Sequence, residues 1–490
     1  MEINNLISEC MKKSSFEPLT ARTVTTYLNS PFAVYCEKFV SKDERDEISE
    51  YDKSLFKKGK DHERKIVHEK YPDAALISYE TPEIGFRSTI ESMILGDETL
   101  HSMPMYYLPN GVYGIPDIVE KSNTENSIFG DYHYTITEVK LAKNIKKEHL
   151  IQGAFYNYLL GAIQGITPEI FCTINGEGEK EEHDYRSYEP TLMSLIGDTR
   201  KILQGESVSP TYNSCGFPWK SYCDKKAIEV KDISLVDGLG QSKKSKLYHK
   251  YKTVEDISNA KISDLTAIDG IGNKTAQKYV NSAKAIHSET HSIIDKNKIK
   301  FPQRKVEIFL DLEGIDPTSV EGEFEQIDYM IGILVREDNV EKYTAFTAKD
   351  TKHEKEMLLE FLEFLKTQED YVIYHYHHYE KTHMTKMMEK YEIDNTTQNL
   401  LLDNLIDIHK VATNSVAFPT IGTGLKKIAP YLGFTWRHKD VNATESIAMY
   451  FDYVKDPVGN KENLQKIKDY NEDDCIATRV IKDWLANIIH

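Results

Sequence analysis

The stretch "VEIFLDLEG" at residues 306–314 predicts a buried β-strand with two acids near its end. Side chains two positions apart on a strand point to the same face, so Asp311 and Glu313 are expected side by side. Two later stretches add acids: "YVIYHYHHYEK" contributes Glu380 and "DYNEDDCIAT" contributes Asp474. Four carboxylates in one pocket repel each other unless a cation neutralises them, so this set predicts a metal site.

These stretches resemble the ribonuclease H-like DEDD exonucleases, specifically the YprB-type domain. The resemblance implies that the four acids bind two Mg²⁺ or Mn²⁺ ions and that the enzyme digests in the 3′ to 5′ direction. It also implies that Tyr470, one helical turn before Asp474, orients the attacking water. The commoner exonucleases have Asp where this chain has Glu380, and Asp407 and Asp473 stay open as rival ligands.

Three histidines in the same stretch as Glu380 leave a separate zinc site as an alternative. They are His375, His377 and His378. Alternate residues of a strand point to opposite faces, and no cysteine lies nearby in the sequence. Both observations disfavour zinc.

An internal repeat occupies a basic segment in the middle of the chain. "VDGLGQSKKSKLY" begins at Val236 and "IDGIGNKTAQKYV" begins at Ile268, 32 residues later. Residues 226–300 contain 14 lysines against 9 acids, a net charge of +5 in a chain whose net charge is −17. Two glycines around one apolar residue predict a tight hairpin between helices.

The repeat resembles the helix-hairpin-helix motif, which holds nucleic-acid phosphates without reading bases. The resemblance implies that hairpin amides grip a phosphate of DNA while the following lysines add charge. The residues concerned are Gly238, Gly240, Lys243, Lys244, Lys246, Gly270, Gly272, Lys274 and Lys278. Hairpins that only pack domains together stay the alternative. Because Asn273 precedes Lys274, "GIGNKT" lacks the Gly-Lys-Thr of a phosphate-binding loop, and no ATP site is expected.

Acids and a lysine also recur at strand spacing in the first part of the chain. "YGIPDIVEK" holds Asp117, and "YTITEVKLAK" holds Glu138, 21 residues later, with Lys140. Glu138 and Lys140 share a strand face, and a neighbouring strand could bring Asp117 to them. Two carboxylates offer oxygen ligands for Mg²⁺ or Mn²⁺, while a lysine can polarise the scissile phosphate.

With "KKGKDHERKIVHEKY" before them and "IQGAFYNYLLG" after them, these residues resemble the RecB-like branch of the PD-(D/E)XK nuclease superfamily. The resemblance implies that His62 ligates a metal together with the two acids. It also implies that Gln152 and Tyr156, at i and i+4 on one helix face, belong to the catalytic machinery. Chance acids on edge strands, beside a helix that is amphipathic for packing alone, are the alternative.

The six cysteines are too few and too dispersed for a disulfide scaffold. Many RecB-like nucleases hold an iron–sulfur cluster with four cysteines. This chain has Ser30 at one of those positions and keeps only Cys215 and Cys223 of a group of three, so a cluster is not expected. Cys36 could join Cys215 and Cys223 at a zinc site, or all three could be buried small apolar side chains.

Composition and motifs together predict a multidomain α/β protein. With 40% hydrophobic and 28% charged residues, the chain is neither collagen-like nor largely disordered. Its apolar runs fall far short of the roughly 20 residues that cross a bilayer, and its N-terminal stretch lacks a signal pattern, so a cytoplasmic protein without membrane contact is expected. The expected domains are a PD-(D/E)XK nuclease α/β domain (1–225), a small all-α helix-hairpin-helix domain (226–300) and a ribonuclease H-like α/β domain (301–490).

These patterns predict a metal-dependent nuclease, an exodeoxyribonuclease-like hydrolase that acts best on single-stranded DNA ends. Two alternatives stay open. One is a catalytically degenerate scaffold that binds nucleic acid, and the other is an RNase, because fold is a poor guide to substrate. Without its own ATP site, the protein could depend on a helicase or repair partner.

Overall fold

The computed structural model describes residues 3–48, 50–315, 327–439 and 441–488. The chain forms two compact units, the first ending at Glu229 and the second beginning at Val230. Both units mix helices and strands, as the α/β class requires. In the part of the chain that the structure describes, no helix is long and apolar enough to span a membrane.

The first unit combines a mixed sheet with helices on its faces. Its helices are α1 (Ile3–Cys10), α2 (Ala21–Asn29), α3 (Pro31–Phe39), α4 (Glu50–Lys70), α5 (Pro82–Leu95), α6 (Lys147–Gln164), α7 (Glu189–Leu203) and α8 (Lys220–Glu229). Its strands are β1 (Ala75–Leu76), β2 (Thr99–His101), β3 (Met105–Tyr107), β4 (Val112–Gly114), β5 (Ile118–Ser122), β6 (His133–Val139), β7 (Ile170–Ile174) and β8 (Lys180–Asp184).

The sheet of the first unit has the strand order β1-β2-β5-β6-β7-β8. Strands β5 and β6 are antiparallel and pair Ile118 with Thr137, whereas β6 and β7 are parallel. Helix α6, apolar and buried over most of its length, packs against β6. Because Asp117 immediately precedes β5 and Glu138 follows Thr137, this register brings the two acids to the same point of the sheet.

The second unit begins with short helices and continues into a second mixed sheet. Its helices are α9 (Gln241–Leu247), α10 (Val254–Ser258), α11 (Ile262–Thr266), α12 (Asn273–Ser288), α13 (Glu354–Lys366), α14 (Tyr379–Lys390), α15 (Asn395–Leu402), α16 (Ile408–Ser415), α17 (Leu425–Tyr431), α18 (Ala443–Lys455) and α19 (Lys461–Asn487). Its strands are β9 (Ser292–Ile293), β10 (Val306–Ile315), β11 (Ile327–Glu337), β12 (Val340–Thr347), β13 (Tyr371–His375), β14 (Leu405–Asp407) and β15 (Val416–Ala417).

Strand β10 is the centre of the second sheet, whose order is β12-β11-β10-β13-β14. It is antiparallel to β11 and parallel to β13. Since β10 has partners on both edges and is covered by helices, its sequence is an almost continuous apolar run. Helix α19 packs across β10 and β11, and the register shifts between Glu313 and Gly314. The acids of β10 therefore face α19.

The helical segment α9–α12 is fixed to the second sheet by the chain that follows α12. There β9 pairs with β15, with Ser292 opposite Ala417, and the Ile294 N–H donates to the Ser415 carbonyl at 2.7 Å. The ring of His291 lies 5.0 Å from that of Trp484 on α19. The helices and the sheet of the second unit thus form one packed body.

Candidate active sites

The acids predicted on β10 and α19 meet in the second unit. Asp311 and Glu313 come from β10, and Asp474 comes from α19. One carboxylate oxygen of each lies within 4.8 Å of the others. Among the described residues, these three, here called the carboxylate cluster, are the only group of three or more His, Cys, Asp or Glu side chains with the spacing of metal ligands.

Glu380, the fourth predicted acid, borders the carboxylate cluster. It lies in the first turn of α14 and is 5% exposed. Its carboxylate faces Nδ1 of the buried His375 at 3.4 Å. Its charge adds to burial, Asp474 and Glu313 in raising the pKa of Asp311. Glu380 is therefore close enough to affect the pKa of Asp311, although its oxygens do not lie within 4.8 Å of all three cluster acids.

Asn471 orients Asp311. Its side-chain amide donates to Asp311 Oδ2 at 2.7 Å and its oxygen accepts from the Tyr343 hydroxyl at 2.8 Å. Gly332, opposite Asp311 in the β10–β11 register, leaves the space that Asn471 fills. A Cβ at Gly332 would lie 1.4 Å from Asn471 Oδ1, so this close approach requires glycine.

The other two acids of the carboxylate cluster also have side-chain donors. The Ser446 hydroxyl donates to Glu313 Oε2 at 3.2 Å, and Trp436 Nε1 donates to Asp474 Oδ1 at 2.7 Å. Each donor uses one carboxylate oxygen. Tyr470 adds a second hydrogen bond to Asp474 and Asn471 adds one to Glu313, so these donors set the orientation of the acids.

Burial raises the pKa of every acid in the carboxylate cluster. Burial and then the charge of Asp474 hold the pKa of Asp311 well above its usual value and raise that of Glu313 to about 8. Burial likewise raises the pKa of Asp474 to about 6, although Lys426 and Trp436 act in the opposite direction. The three ionised carboxylates are thus unfavourable together unless a proton or a cation neutralises them.

Lys426 and Tyr470 lie beside the carboxylate cluster. The Lys426 ammonium donates to the Tyr470 hydroxyl and lies 4.4 Å from the centre of its ring. Burial, followed by the charge of Asp474, raises the pKa of Tyr470, so the phenol keeps its proton. The exposed Lys426 lowers the pKa of all three cluster acids. It places a positive charge next to them.

The rival ligands Asp407 and Asp473 have other partners. Arg437 donates to Asp473 twice, from Nε at 2.9 Å and from its backbone N–H at 2.7 Å. Asp407 caps α16 by accepting the Lys410 N–H, and it also accepts the His377 N–H at 3.0 Å. Neither acid belongs to the carboxylate cluster.

The two glycine hairpins have the same local geometry. Gly238 and Gly270 both adopt φ 82°, a left-handed conformation that favours glycine. Gly240 and Gly272 cap the N-termini of α9 and α12, and the apolar residue between each glycine pair is buried. The sequence repeat therefore corresponds to a structural repeat.

The lysines that follow the hairpins differ in solvent exposure. Lys243 and Lys274 are exposed. Lys244 is only 5% exposed and pairs with the buried Asp232 at 2.8 Å, so its charge is turned inward instead of adding to the phosphate-binding charge that was expected. Exposed lysines of this set that pair with acids are Lys246 with Asp269 and Lys278 with Asp237.

In the first unit, Asp117, Glu138 and Lys140 come together. Lys140 Nζ donates to Glu138 Oε2 at 2.8 Å and lies 3.7 Å from Asp117 Oδ2. The Asp117 N–H donates to Glu138 Oε1 at 3.2 Å, and the Val139 N–H donates to Asp117 Oδ2 at 2.8 Å. Both oxygens of the wholly buried Glu138 therefore have donors from the protein itself.

This first centre lies beside a cleft of about 550 Å³, whose lining includes Asp117 and Lys140. Burial and then Asp117 raise the pKa of Glu138 to about 7, while Lys140 acts against them. Burial alone would lower the pKa of Lys140, but Glu138 and Asp117 outweigh burial and raise it. Lys140 thus stays an ammonium that partly neutralises the two acids.

Gln152 and Tyr156 lie on the α6 face near the first centre. Burial and then the charges of Glu138 and Asp117 raise the pKa of Tyr156, while its hydrogen bond with Gln152 acts in the opposite direction. Gly114 approaches the Tyr156 ring so closely that a Cβ would lie 2.6 Å from Cε1. The structure thus brings both predicted residues to the centre.

Helix α4 presents Glu63 to the cleft next to the predicted ligand His62. Glu63 lines the cleft, and burial followed by the charge of Asp117 raises its pKa while Lys140 lowers it. His62 Nε2 is buried without a hydrogen-bond partner among the described residues. The role of His62 as a metal ligand stays a prediction, and Glu63 is a carboxylate that the sequence analysis missed.

Two segments of the chain match known families. Residues 308–486 match the family described as the RNase_H superfamily. Residues 230–285 match the SAM-like helix-hairpin-helix tandem. No curated protein matches the chain.

The matches confirm a ribonuclease H-like domain and a helix-hairpin-helix domain, both within the second unit. Together these domains indicate a nuclease that binds nucleic acid. Neither match extends into residues 1–229, so the PD-(D/E)XK assignment of the first unit stays a prediction.

Several residues around the carboxylate cluster were not identified from the sequence. Asn471 lies inside the quoted stretch "DYNEDDCIAT", one residue after Tyr470, and could have been found by asking which side chains share the face of Asp474. Lys426, Trp436 and Ser446 belong to segments without a recognisable pattern. Only the fold brings them to the acids.

The cysteines of the first unit form a small buried group. Cys215 and Cys223, with Cα atoms 6.3 Å apart, form a disulfide, a pairing the sequence analysis did not anticipate. Cys36 is free, buried in the same apolar cluster, and burial raises its pKa to about 12. The Ser30 hydroxyl lies 3.0 Å from Cys215 Sγ. Cys215 and Cys223 are therefore joined to each other, and Cys36 packs beside them as a buried free thiol.

Proposed function

We propose that the protein is a metal-dependent nuclease whose principal active site is the carboxylate cluster with Glu380 beside it. One observation carries the proposal: the half-buried Asp311 and the buried Glu313 and Asp474 have carboxylate oxygens within 4.8 Å of each other in a ribonuclease H-like domain, and burial raises the pKa of each. Hard oxygen ligands of this kind suit Mg²⁺ or Mn²⁺. The three carboxylates are therefore more favourable with a bound divalent cation than without one.

A bound divalent cation would supply an activated water and stabilise charge on the leaving oxygen. Asp311, Glu313 and Asp474 would hold it, with Glu380 in reach of a second ion. Tyr470, which keeps its proton, would orient the water. The exposed Lys426, which donates to the Tyr470 hydroxyl, would attract the scissile phosphate.

The helix-hairpin-helix domain would hold the nucleic acid without reading its sequence. Its two hairpins present glycine backbones at the starts of α9 and α12, where N–H groups can bind phosphate oxygens. Lys243 and Lys274 follow them with exposed charges. We propose DNA as the substrate, digested from single-stranded ends, with a helicase or repair partner to supply them.

The test is cleavage of end-labelled single-stranded DNA, duplex DNA and RNA in Mg²⁺, Mn²⁺ or EDTA. We expect metal-dependent digestion from DNA ends that Asp311→Asn reduces by more than about 100-fold, because losing even an outer partner of a metal ligand costs 10- to 100-fold. Glu356→Gln, an exposed acid of α13, is the matched control and should cleave normally.

Other outcomes would replace the proposal. Binding without cleavage in any metal would favour a degenerate scaffold, and cleavage restricted to RNA would favour an RNase. Cleavage that survives EDTA would exclude the carboxylate cluster as a metal-dependent site.

We also propose that a domain of residues 1–225, within the first unit, carries an additional nuclease centre of the PD-(D/E)XK kind at the first centre. Support comes from Lys140, which lies within 4 Å of both Asp117 and Glu138 beside an open cleft. His62 or Glu63 would complete a Mg²⁺ or Mn²⁺ site, and an iron–sulfur cluster is not part of the proposal. The other domains would span residues 226–300 and 301–490.

The first centre is tested with Lys140→Met in the Asp311→Asn background. We expect residual metal-dependent cleavage in Asp311→Asn alone and its loss in the double variant. Lys143→Met removes an exposed ammonium that pairs with Glu177 and serves as the control. No residual cleavage in Asp311→Asn, on any of the three substrates, would reject an active first centre.

A further inference from the structure

Three imidazole rings cluster at the end of β13. The rings of His377 and His378 have centres 4.3 Å apart, and those of His377 and His409 have centres 4.4 Å apart. His377 and His378 are exposed, whereas the residues of β13 before them are all buried. Flat exposed rings at this position are unusual for a segment that otherwise belongs to the core.

The backbone holds these rings in a defined place. His377 has φ 75°, a left-handed conformation that residues with a Cβ rarely adopt. Its N–H donates to Asp407 Oδ1 at 3.0 Å, and His409 Nε2 lies 3.0 Å from the Thr423 hydroxyl. An unfavourable backbone conformation that is held in this way is more common at functional sites than elsewhere.

The imidazole cluster lies next to the helix that carries Glu380, and charged groups of the helix-hairpin-helix domain act on it. On one side, His378 immediately precedes α14, whose first turn carries Glu380, and Asp407 acts on the pKa of Glu380. On the other side, Asp237 and Lys278 of the helix-hairpin-helix domain act on His409. Asp237 directly precedes Gly238, so the rings lie within electrostatic range of the first hairpin.

The same rings do not form a metal site. Within the described residues, the carboxylate cluster is the only group of His, Cys, Asp and Glu with metal-ligand spacing. The zinc alternative from the sequence therefore lacks support, and His375, its third member, is buried against Glu380. The rings of His377 and His378, tilted by 56° to each other, are the exposed part of the group.

We propose that His377 and His378 form a stacking platform for a base of a single-stranded nucleic acid that runs from the first hairpin to the carboxylate cluster. The proposal rests on the nuclease function proposed above and names how its substrate is held. Bases stack on aromatic and histidine rings irrespective of sequence, which suits an enzyme whose hairpins contact only phosphates. A platform next to Glu380 would position the strand whose phosphate reaches the acids.

The test combines three variants with a binding assay in EDTA, so that no cleavage occurs. His377→Asn removes the ring but suits the left-handed backbone, His378→Ala removes the second ring, and His378→Phe keeps a flat ring. His353→Ala, at a partly exposed histidine paired with Asp350, is the control. The probe is a short single-stranded DNA with 2-aminopurine at either end, whose fluorescence falls on stacking.

We expect the His377→Asn and His378→Ala double variant to bind about tenfold more weakly, which corresponds to about 1.4 kcal/mol. Quenching of 2-aminopurine should disappear at one end of the strand, and His378→Phe should retain it. In cleavage assays the double variant should raise KM more than it lowers kcat. Equal thermal melting of all variants would show that they fold.

The outcomes separate this proposal from the nuclease function. Unchanged affinity and quenching in the double variant would overturn the platform, whether or not the wild type cleaves. Loss of affinity without any change in quenching would also overturn it, because the histidines would then act through charge or folding. If the wild type binds with quenching but never cleaves, the nuclease proposal fails and the platform stands.

Discussion

The carboxylate centre of the first unit contains its own cation, whereas that of the second unit turns three acids towards one another. In the first, Lys140 contacts both acids, and each oxygen of Glu138 has a donor. In the second, Lys426, whose charge lowers the pKa of all three acids, is exposed and donates to the Tyr470 hydroxyl. The pKa of Glu138 is about 7, and that of Glu313 about 8.

This difference indicates how each centre would depend on metal. An internal ammonium can keep two acids together in the absence of any ion, because opposite charge offsets part of the burial penalty. Three acids without such a partner are costly to ionise until a cation arrives. The second centre should therefore show the stronger response to metal, to pH and to changes in its supporting residues.

The largest effect is expected from Gly332→Ala. The new Cβ would occupy the position of Asn471 Oδ1, so either the β11–α19 packing opens or Asn471 leaves Asp311. We expect a loss of about 3 kcal/mol in the free energy of unfolding, measured in urea, together with loss of cleavage by the second centre.

Gly114→Ala makes the corresponding change at the first centre. Its Cβ would lie 2.6 Å from Tyr156 Cε1. The Tyr156 ring can move more easily than the Asn471 amide, which is held by two hydrogen bonds. We expect a smaller loss, about 1 kcal/mol. Equal losses for the two variants would show that the second centre is not the more tightly constrained one.

The next effect is expected from Lys426→Ala. Its ammonium lowers the pKa of every acid in the carboxylate cluster, and it is placed to meet a phosphate. We expect kcat to fall about 100-fold and the pH–activity profile to move to higher pH. The neighbouring exposed Lys427, changed to Ala, is the matched control, and Lys426→Arg should keep most activity.

Salt distinguishes the two lysines further. Lys426 is exposed, whereas Lys140 is largely buried. Added salt should therefore screen the charge of Lys426 but not that of Lys140. The effect of Lys426→Ala should shrink in high salt, whereas that of Lys140→Met should not. A salt-independent Lys426 effect would argue that the ammonium acts through its bond to Tyr470.

The third prediction concerns pH and metal removal. Glu313 has its pKa raised from 4.5 to about 8, so the folded state binds this proton more tightly than the unfolded state. In EDTA, its contribution to stability is therefore complete below pH 4.5 and is lost as the pH rises through 8. Mn²⁺ binds the ionised form and should reverse that loss.

The measurement is the melting temperature with and without Mn²⁺ at two pH values. The increase caused by Mn²⁺ should be larger above the Glu313 pKa of about 8 than between 4.5 and 6. Asp311→Asn should abolish most of it, and Asp117→Asn should change it little. If the Mn²⁺ effect depended on Asp117 alone, the first centre and not the second would be the one that responds more strongly to metal.

The acids of both centres could be predicted from the sequence because spacing alone determines which face they share. Asp311 and Glu313 lie two apart on a strand, and Tyr470 and Asp474 lie one turn apart on a helix. The repeat likewise predicted two hairpins with equal backbone conformations at Gly238 and Gly270. Local periodicity is sufficient for these features.

Residues whose role depends on tertiary packing could not be predicted. Trp436 reaches Asp474 from a segment without a motif, and Glu63 lies next to the residue that resemblance favoured. Lys243 and Lys244 are adjacent lysines, yet Lys244 points inward and pairs with Asp232. A repeat specifies the backbone but not which of several adjacent lysines faces solvent.

The smallest effect is expected from Gln152→Ala at the first centre. Gln152 is not one of the residues that form the acid–lysine contacts. It hydrogen-bonds to Tyr156, which lies close enough to Glu138 and Asp117 for their charges to raise its pKa. One such bond contributes about 1 kcal/mol, so cleavage in the Asp311→Asn background should fall less than about tenfold. Tyr156→Phe, which also removes this bond, should have a similar effect. A loss as large as that of Lys140→Met would mean that Gln152 contacts the reacting groups directly, and the self-contained first centre would then extend onto α6.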